Sequence, residues 1–191
     1  MKPIFFRTLT TMFKPVVTYI YLALTIIIST LVGITSSYKI PMLSLEAQKV
    51  NVLEIFTLLN FIWIFGILLI IFIVAFGSGI FAAEESEGTM RILVARPVSR
   101  ASIVIGKILG FVFGSIIYMI SSLIVTISIY SLIVSLDKDV FLYLISKIPS
   151  FILYGLFIIL LFCGITSLLS SLFKKRIPAV IILILIILFT Y

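Results

Sequence analysis

The sequence predicts an all-α polytopic membrane protein, and three observations carry that prediction. Its 191 residues are 63% hydrophobic and only 11% charged, whereas a soluble domain runs nearer half apolar and about a quarter charged. The charges are clumped, leaving charge-free runs at 15–38, 55–83, 108–136, 148–173 and 177–191. Four of these exceed the roughly 20 apolar residues that a helical crossing needs, and the fifth is a part-span. Backbone amides in hydrocarbon must find partners within their own segment, so single spans are helices. The runs also lack the short alternating pattern of barrel strands.

The first element is an interfacial helix over residues 1–15. Phe5, Phe6, Leu9, Met12 and Phe13 fall in one arc of about 120° at helical spacing. Arg7 and Lys14 lie opposite. Pro3 suits a first helical turn and Pro15 stops the helix before the first span, as in a helix lying on the inner leaflet. The apolar run that follows is longer than the core of a cleaved signal peptide, so it is read as an uncleaved span.

The spans are expected at Val16–Ile34, Ile55–Gly79, Ser102–Val134, Pro149–Phe173 and, in part, Pro178–Tyr191. The third would be about 50 Å long at 1.5 Å per residue, against a hydrocarbon core of about 30 Å, so it must tilt, bend or project into the interface. The fifth rises only about 21 Å, so the domain is expected to continue beyond Tyr191. Residues 1–191 are read as one transmembrane domain.

Basic loops stay in the cytoplasm, which sets the orientation. Lys2, Arg7, Lys14, Arg91, Arg96, Arg100, Lys107, Lys174, Lys175 and Arg176 fall on one side. Lys39, Lys49, Lys138 and Lys147 fall on the other, balanced by Glu46, Glu54, Asp137 and Asp139, so the whole net charge of +7 belongs to the first side. The N-terminus, the 80–101 loop and Lys174–Arg176 are therefore placed in the cytoplasm, with 35–54 and 135–148 outside.

Several chemistries lack their residues. The chain has no His, and its lone Cys163 has no partner, so neither a disulfide framework nor a nitrogen or sulfur metal cluster is expected. The nearest match to a P-loop, Gly106-Lys107, lacks the upstream Gly and is followed by Ile108, so ATP is not expected to bind this chain. Apart from Lys107 in the first turns of the third, no charged residue lies between the span ends. That weakens a proton-coupled carrier, an intramembrane protease or a charge-lined channel. The scattered hydroxyls and Asn60 read as hydrogen bonds between helices.

Gly106, Gly110 and Gly114 recur every four residues along the third helix, a row that lets two backbones approach closely. Gly77-Ser78-Gly79 reads as a hinge or a frayed helix end.

The loop between spans two and three is the most informative stretch. Glu84, Glu85 and Glu87 form an acidic patch at the end of a helix that Gly88 closes. Thr89 caps a short helix through Ala95 on which Met90, Leu93 and Val94 share a face. Pro97 ends it and Ser99 caps the third span. An apolar anchor flanked by Arg91, Arg96 and Arg100 as well as the glutamates suits docking into a groove. The same charges also suit a solvated loop, since Glu87 and Arg91 stand four apart.

This stretch resembles the signature of ATP-binding-cassette (ABC) transporter permeases of the type-2 exporter class. The matching residues are Glu84/Glu85, Glu87-Gly88-Thr89, Ile92-Leu93, Arg96-Pro97, Ser99-Arg100 and Gly106-Lys107. The resemblance implies a six-helix subunit of the cell membrane with a cytoplasmic N-terminus. It also implies a second permease subunit, as a homo- or heterodimer, and a separate cytoplasmic ATPase that grips the loop. On that reading Glu84, Glu85, Glu87, Gly88, Thr89, Met90, Leu93, Arg96, Pro97 and Arg100 dock the ATPase. ATP and Mg belong to that partner, this chain has no catalytic residue of its own, and membrane lipid but no nucleic acid completes its surroundings. The rival classes are a secondary carrier or channel, and a non-transporting membrane scaffold.

Overall fold

The structure, a computed structural model, describes residues 2–38, 40–80, 100–173 and 181. Among these every regular element is helical: α1 (Lys2–Met12), α2 (Pro15–Ser37), a 3-10 turn (Ile40–Met42), α3 (Leu45–Leu58), a π-helix (Leu59–Leu69), α4 (Ile70–Gly77), α5 (Arg100–Val134), α6 (Lys138–Ser146) and α7 (Ile148–Leu172). Four stretches are long and apolar enough to cross a membrane, namely Val16–Ser37, Leu45–Gly77, Ala101–Val134 and Lys138–Leu172.

Two of these begin well before the expected spans. The 35–54 and 135–148 segments, read as loops because they carry charge, contain the first turns of α3 and the whole of α6. Charge interrupts an apolar run without interrupting a helix, provided it keeps to one face. On α3 the Glu46 and Lys49 side chains pair at 2.9 Å while Val52 and Phe56 are buried. On α6 Asp139 sits in the first turn while Val140 and Leu144 turn inward, and α6 packs against α3. Lys147 separates α6 from α7 because Pro149 has no amide to donate. The joint is bridged instead by shorter turns, Lys147 N to Leu144 O and Ser150 N to Lys147 O, each 3.0 Å. Ser135, with φ of 50°, ends α5 in the left-handed conformation of a helix cap.

The contacts divide the chain into two compact units. One comprises Val16–Leu69 and Ile117–Ile158. Its aromatic core centres on Phe56, whose ring meets Phe151 at 5.1 Å and Tyr130 at 5.9 Å. Phe61 stacks on Tyr154 at 3.9 Å. α2 meets α5 along a hydroxyl seam: Thr18 and Tyr118 share a 2.6 Å hydrogen bond, the Tyr21 and Tyr118 rings meet at 5.0 Å, and Ser29 donates to Thr126 at 3.3 Å. Tyr118, Ser122, Thr126 and Tyr130 are all buried and recur every four residues, which puts them on one face of α5. Outside the core, large apolar side chains such as Tyr19, Ile27, Leu31 and Leu153 stay exposed, as expected of helices surrounded by lipid.

The other unit comprises Met1–Pro15, Ile70–Ile116 and Ile159–Tyr191. Here α1 lies against the first turns of α5. Met12 is buried, and the Phe5 and Phe113 rings meet edge to face at 5.7 Å. Phe6 and Arg7 remain exposed.

Candidate functional site: the mount of the 81–99 segment

The second span ends in a tightening turn. Ser78 N still bonds Val74 O at 3.1 Å in the α pattern, but Gly79 N reaches Phe76 O at 3.1 Å and Ile80 N reaches Gly77 O at 3.2 Å, both one residue shorter. A helix that ends this way leaves carbonyls without partners from its own backbone, and burial makes them costly unless a donor arrives. Two donors arrive from two other helices. Ser170 Oγ of α7 donates to the Ser78 carbonyl at 3.1 Å, and Lys107 Nζ of α5 donates to the Ile80 carbonyl at 3.0 Å.

The gripping residues come as two pairs at i, i+4 spacing, so each pair lies on a single helix face. On α5, Lys107 stands one turn before Phe111. On α7, Thr166 stands one turn before Ser170. A Cβ placed on Gly77 would lie 2.7 Å from Phe111 Cζ and 2.7 Å from Thr166 Oγ1, so only glycine fits between the helices at that point. Ser78, Thr166 and Ser170 are fully buried and Lys107 is only 3% exposed. The ammonium lies at the C-terminal end of a helical run, where the backbone dipole favours a cation.

The mount is thus a turn hydrogen-bonded to α5 and α7. Among the described residues no group of His, Cys, Asp or Glu there could hold a metal ion. What the mount does is hold the entry to the 81–99 segment in a fixed place, while α5 begins at Arg100, the other end of that segment.

Of the residues expected to dock a partner, Glu84, Glu85, Glu87, Gly88, Thr89, Met90, Leu93, Arg96 and Pro97 lie outside the described residues, as does the expected Thr89–Ala95 helix. Arg100 is the first residue of α5. The glycine row is placed more fully. Gly106 is buried beside Lys107, while Gly110 and Gly114 face α1: a Cβ on Gly110 would lie 2.8 Å from the Phe5 carbonyl oxygen, and one on Gly114 would lie 2.5 Å from Met12 Sδ.

Sequence reasoning missed Ser78, Lys107, Thr166 and Ser170 as a group. Lys107 was counted only in the charge balance and in the Gly106-Lys107 match, and its side chain reaches back to the half-buried Ile80 carbonyl. The spacing carried little signal, since Lys107 and Phe111 stand about 100° round the helix from Gly106 and Gly110, on the neighbouring face.

A family model described as ABC-2 family transporter protein matches residues 13–191. No curated protein and no solved structure matches the chain. The four membrane-length helices agree with that match. The chain belongs to the ABC-2 transporter family and is a multi-pass membrane permease of an ABC transporter.

Proposed function

We propose that this chain is the membrane-spanning subunit of an ATP-driven exporter, working with a separate cytoplasmic ATPase that docks on the 84–100 loop. The single observation that carries the reading is the mount. The segment bearing Glu84, Glu85, Glu87, Arg91 and Arg96 springs from a turn clamped by α5 and α7, so a force applied to the segment is delivered to three spans rather than dissipated in a slack linker. In this reading Met90, Leu93 and Pro97 supply the apolar contact, Gly88 and Thr89 belong to the docking set, and the flanking charges fix register.

In this reading the N-terminus and the 80–101 loop are cytoplasmic, and the chain sits in the cell membrane beside a second permease subunit. ATP and Mg are bound by the ATPase. The contribution of this chain is mechanical. Docking displaces the loop, the Gly77–Ile80 turn follows, and the helices that grip it change their packing, which opens the path to the far side.

The test is purification of the tagged chain from its native membrane in mild detergent, followed by identification of co-purifying proteins. A stoichiometric ATPase with a P-loop, lost when residues 84–96 are replaced by a Gly/Ser linker, is the expected result. Recovery of the chain without an ATPase, in membranes where the ATPase is present, contradicts the proposal.

A further inference from the structure

The 81–99 segment starts at the residue after Ile80 and ends at the residue before Arg100. Lys107 lies two turns into α5, and its ammonium reaches the Ile80 carbonyl at 3.0 Å. The bond therefore ties the point where the segment leaves one span to the helix into which it runs. The loop is cross-braced at its base.

We infer that Lys107 is a positioning residue for coupling, making α4 and α5 move as one body when the 81–99 segment is displaced. The inference rests on the docking reading above and adds the route by which displacement reaches the spans.

Three features argue for the role. Packing alone does not account for a lysine here, because a methionine fills nearly the same volume without burying an ammonium, which is expensive. The acceptor is a carbonyl just past the end of a helix, where the backbone leaves acceptors unsatisfied and the dipole favours positive charge. A charge-assisted bond is also roughly twice as strong as a neutral one. That makes Lys107 the stronger of the two tethers, and the neutral Ser170 bond to Ser78 the weaker.

The experiment uses the full chain in phospholipid nanodiscs, as wild type, Lys107→Met, Lys107→Arg and Ser170→Ala, read by amide hydrogen exchange. In the permease alone, Lys107→Met is expected to raise exchange over residues 78–80 by about ten-fold or more, as the charged hydrogen bond to the Ile80 carbonyl is lost. Lys107→Arg retains a donor and should recover much of the protection, and Ser170→Ala should have the smaller effect. Unchanged exchange in Lys107→Met overturns the inference, whatever the ATPase does.

In the complex with its ATPase, trapping with ATP and vanadate should alter exchange over both 70–80 and 100–107 in the wild type. In Lys107→Met the ATPase should stay bound and both segments should still respond, since each is joined to 81–99 through the chain, but no longer in the same proportion or with the same time course. Two segments that keep the same proportion and time course in Lys107→Met overturn the inference, because a side chain that merely packs would lower stability without separating the responses. A wild-type chain that retains no ATPase overturns the docking reading, and the coupling role with it, while exchange in the permease alone still reports the brace.

Discussion

The carbonyl oxygen of Phe5 lies 2.8 Å from the point that a Cβ would occupy on Gly110, and Thr8 Cβ lies 3.0 Å from the same point. The glycine row of α5 is thus a seat for the N-terminal helix at this level, and a side chain there has no space. Gly110→Leu should displace α1 and destabilise the fold by about 1–3 kcal/mol, the usual cost of overpacking. Ile117→Leu, on an exposed face of the same helix, is the matched control. Melting in detergent reads the loss, and faster tryptic cleavage after the exposed Arg7 reads the release of α1. Equal melting and cleavage in the two variants would mean that α1 does not depend on this seat.

Gly77 and Gly164 make a second comparison. Gly77→Ala drives a methyl against Phe111 and Thr166, whereas a Cβ on Gly164 meets nothing within 4 Å. The first should cost about 1–3 kcal/mol. The second should be neutral or stabilising by up to about 1 kcal/mol, since alanine favours helix over glycine. Thermal melting of the two variants should therefore shift in opposite directions, or at least by clearly different amounts.

The Thr18 and Tyr118 hydroxyls, 2.6 Å apart, hold α2 to α5. A double-mutant cycle with Thr18→Val and Tyr118→Phe should give a coupling energy of about 0.6 kcal/mol, and no more than about 1.7, the range found for hydrogen bonds between membrane helices. Strictly additive losses would mean that the two hydroxyls act independently.

These residues also show what was legible in the sequence. Four of the spans were legible because apolar runs of membrane length have few alternatives, while the fifth, Pro178–Tyr191, lies outside the described residues but for Ile181; the α1 helix was legible from its proline boundaries and apolar arc. The outer turns of α3 and α6 were not, because Glu46, Lys49 and Asp139 broke the charge-free runs while occupying one helix face. Gly110 and Gly114 were legible as a packing row, but their partner was not, since spacing says which face is bare and not what covers it. Lys107 was legible as a basic residue near the start of a span and as part of the Gly106-Lys107 match, but its partner was not. A lysine at a span end is ordinarily solvated, and only the position of the Ile80 carbonyl reveals that this one points inward.

The proposed orientation makes its own prediction. Cysteines introduced at Ser37 or Asp137 should react with an impermeant thiol reagent added outside intact cells, and one at Ser86 should react only after permeabilisation. The native Cys163 is buried and should contribute little background. Reversed labelling would invert the topology and remove the docking argument.

The central claim is that the 84–100 loop carries the ATPase, and charge reversal tests it most directly. Glu84→Lys with Glu87→Lys should abolish co-purification of the ATPase, since removing a partner from a buried charged contact costs about 2–5 kcal/mol. Folding should be unchanged, because neither residue belongs to a charge-free run of membrane-spanning length. Asp137→Lys with Asp139→Lys, at the far end of α5 and the start of α6, is the matched reversal and should leave the ATPase bound. Loss of the ATPase in the first variant alone is the predicted result; full retention in both would contradict the account.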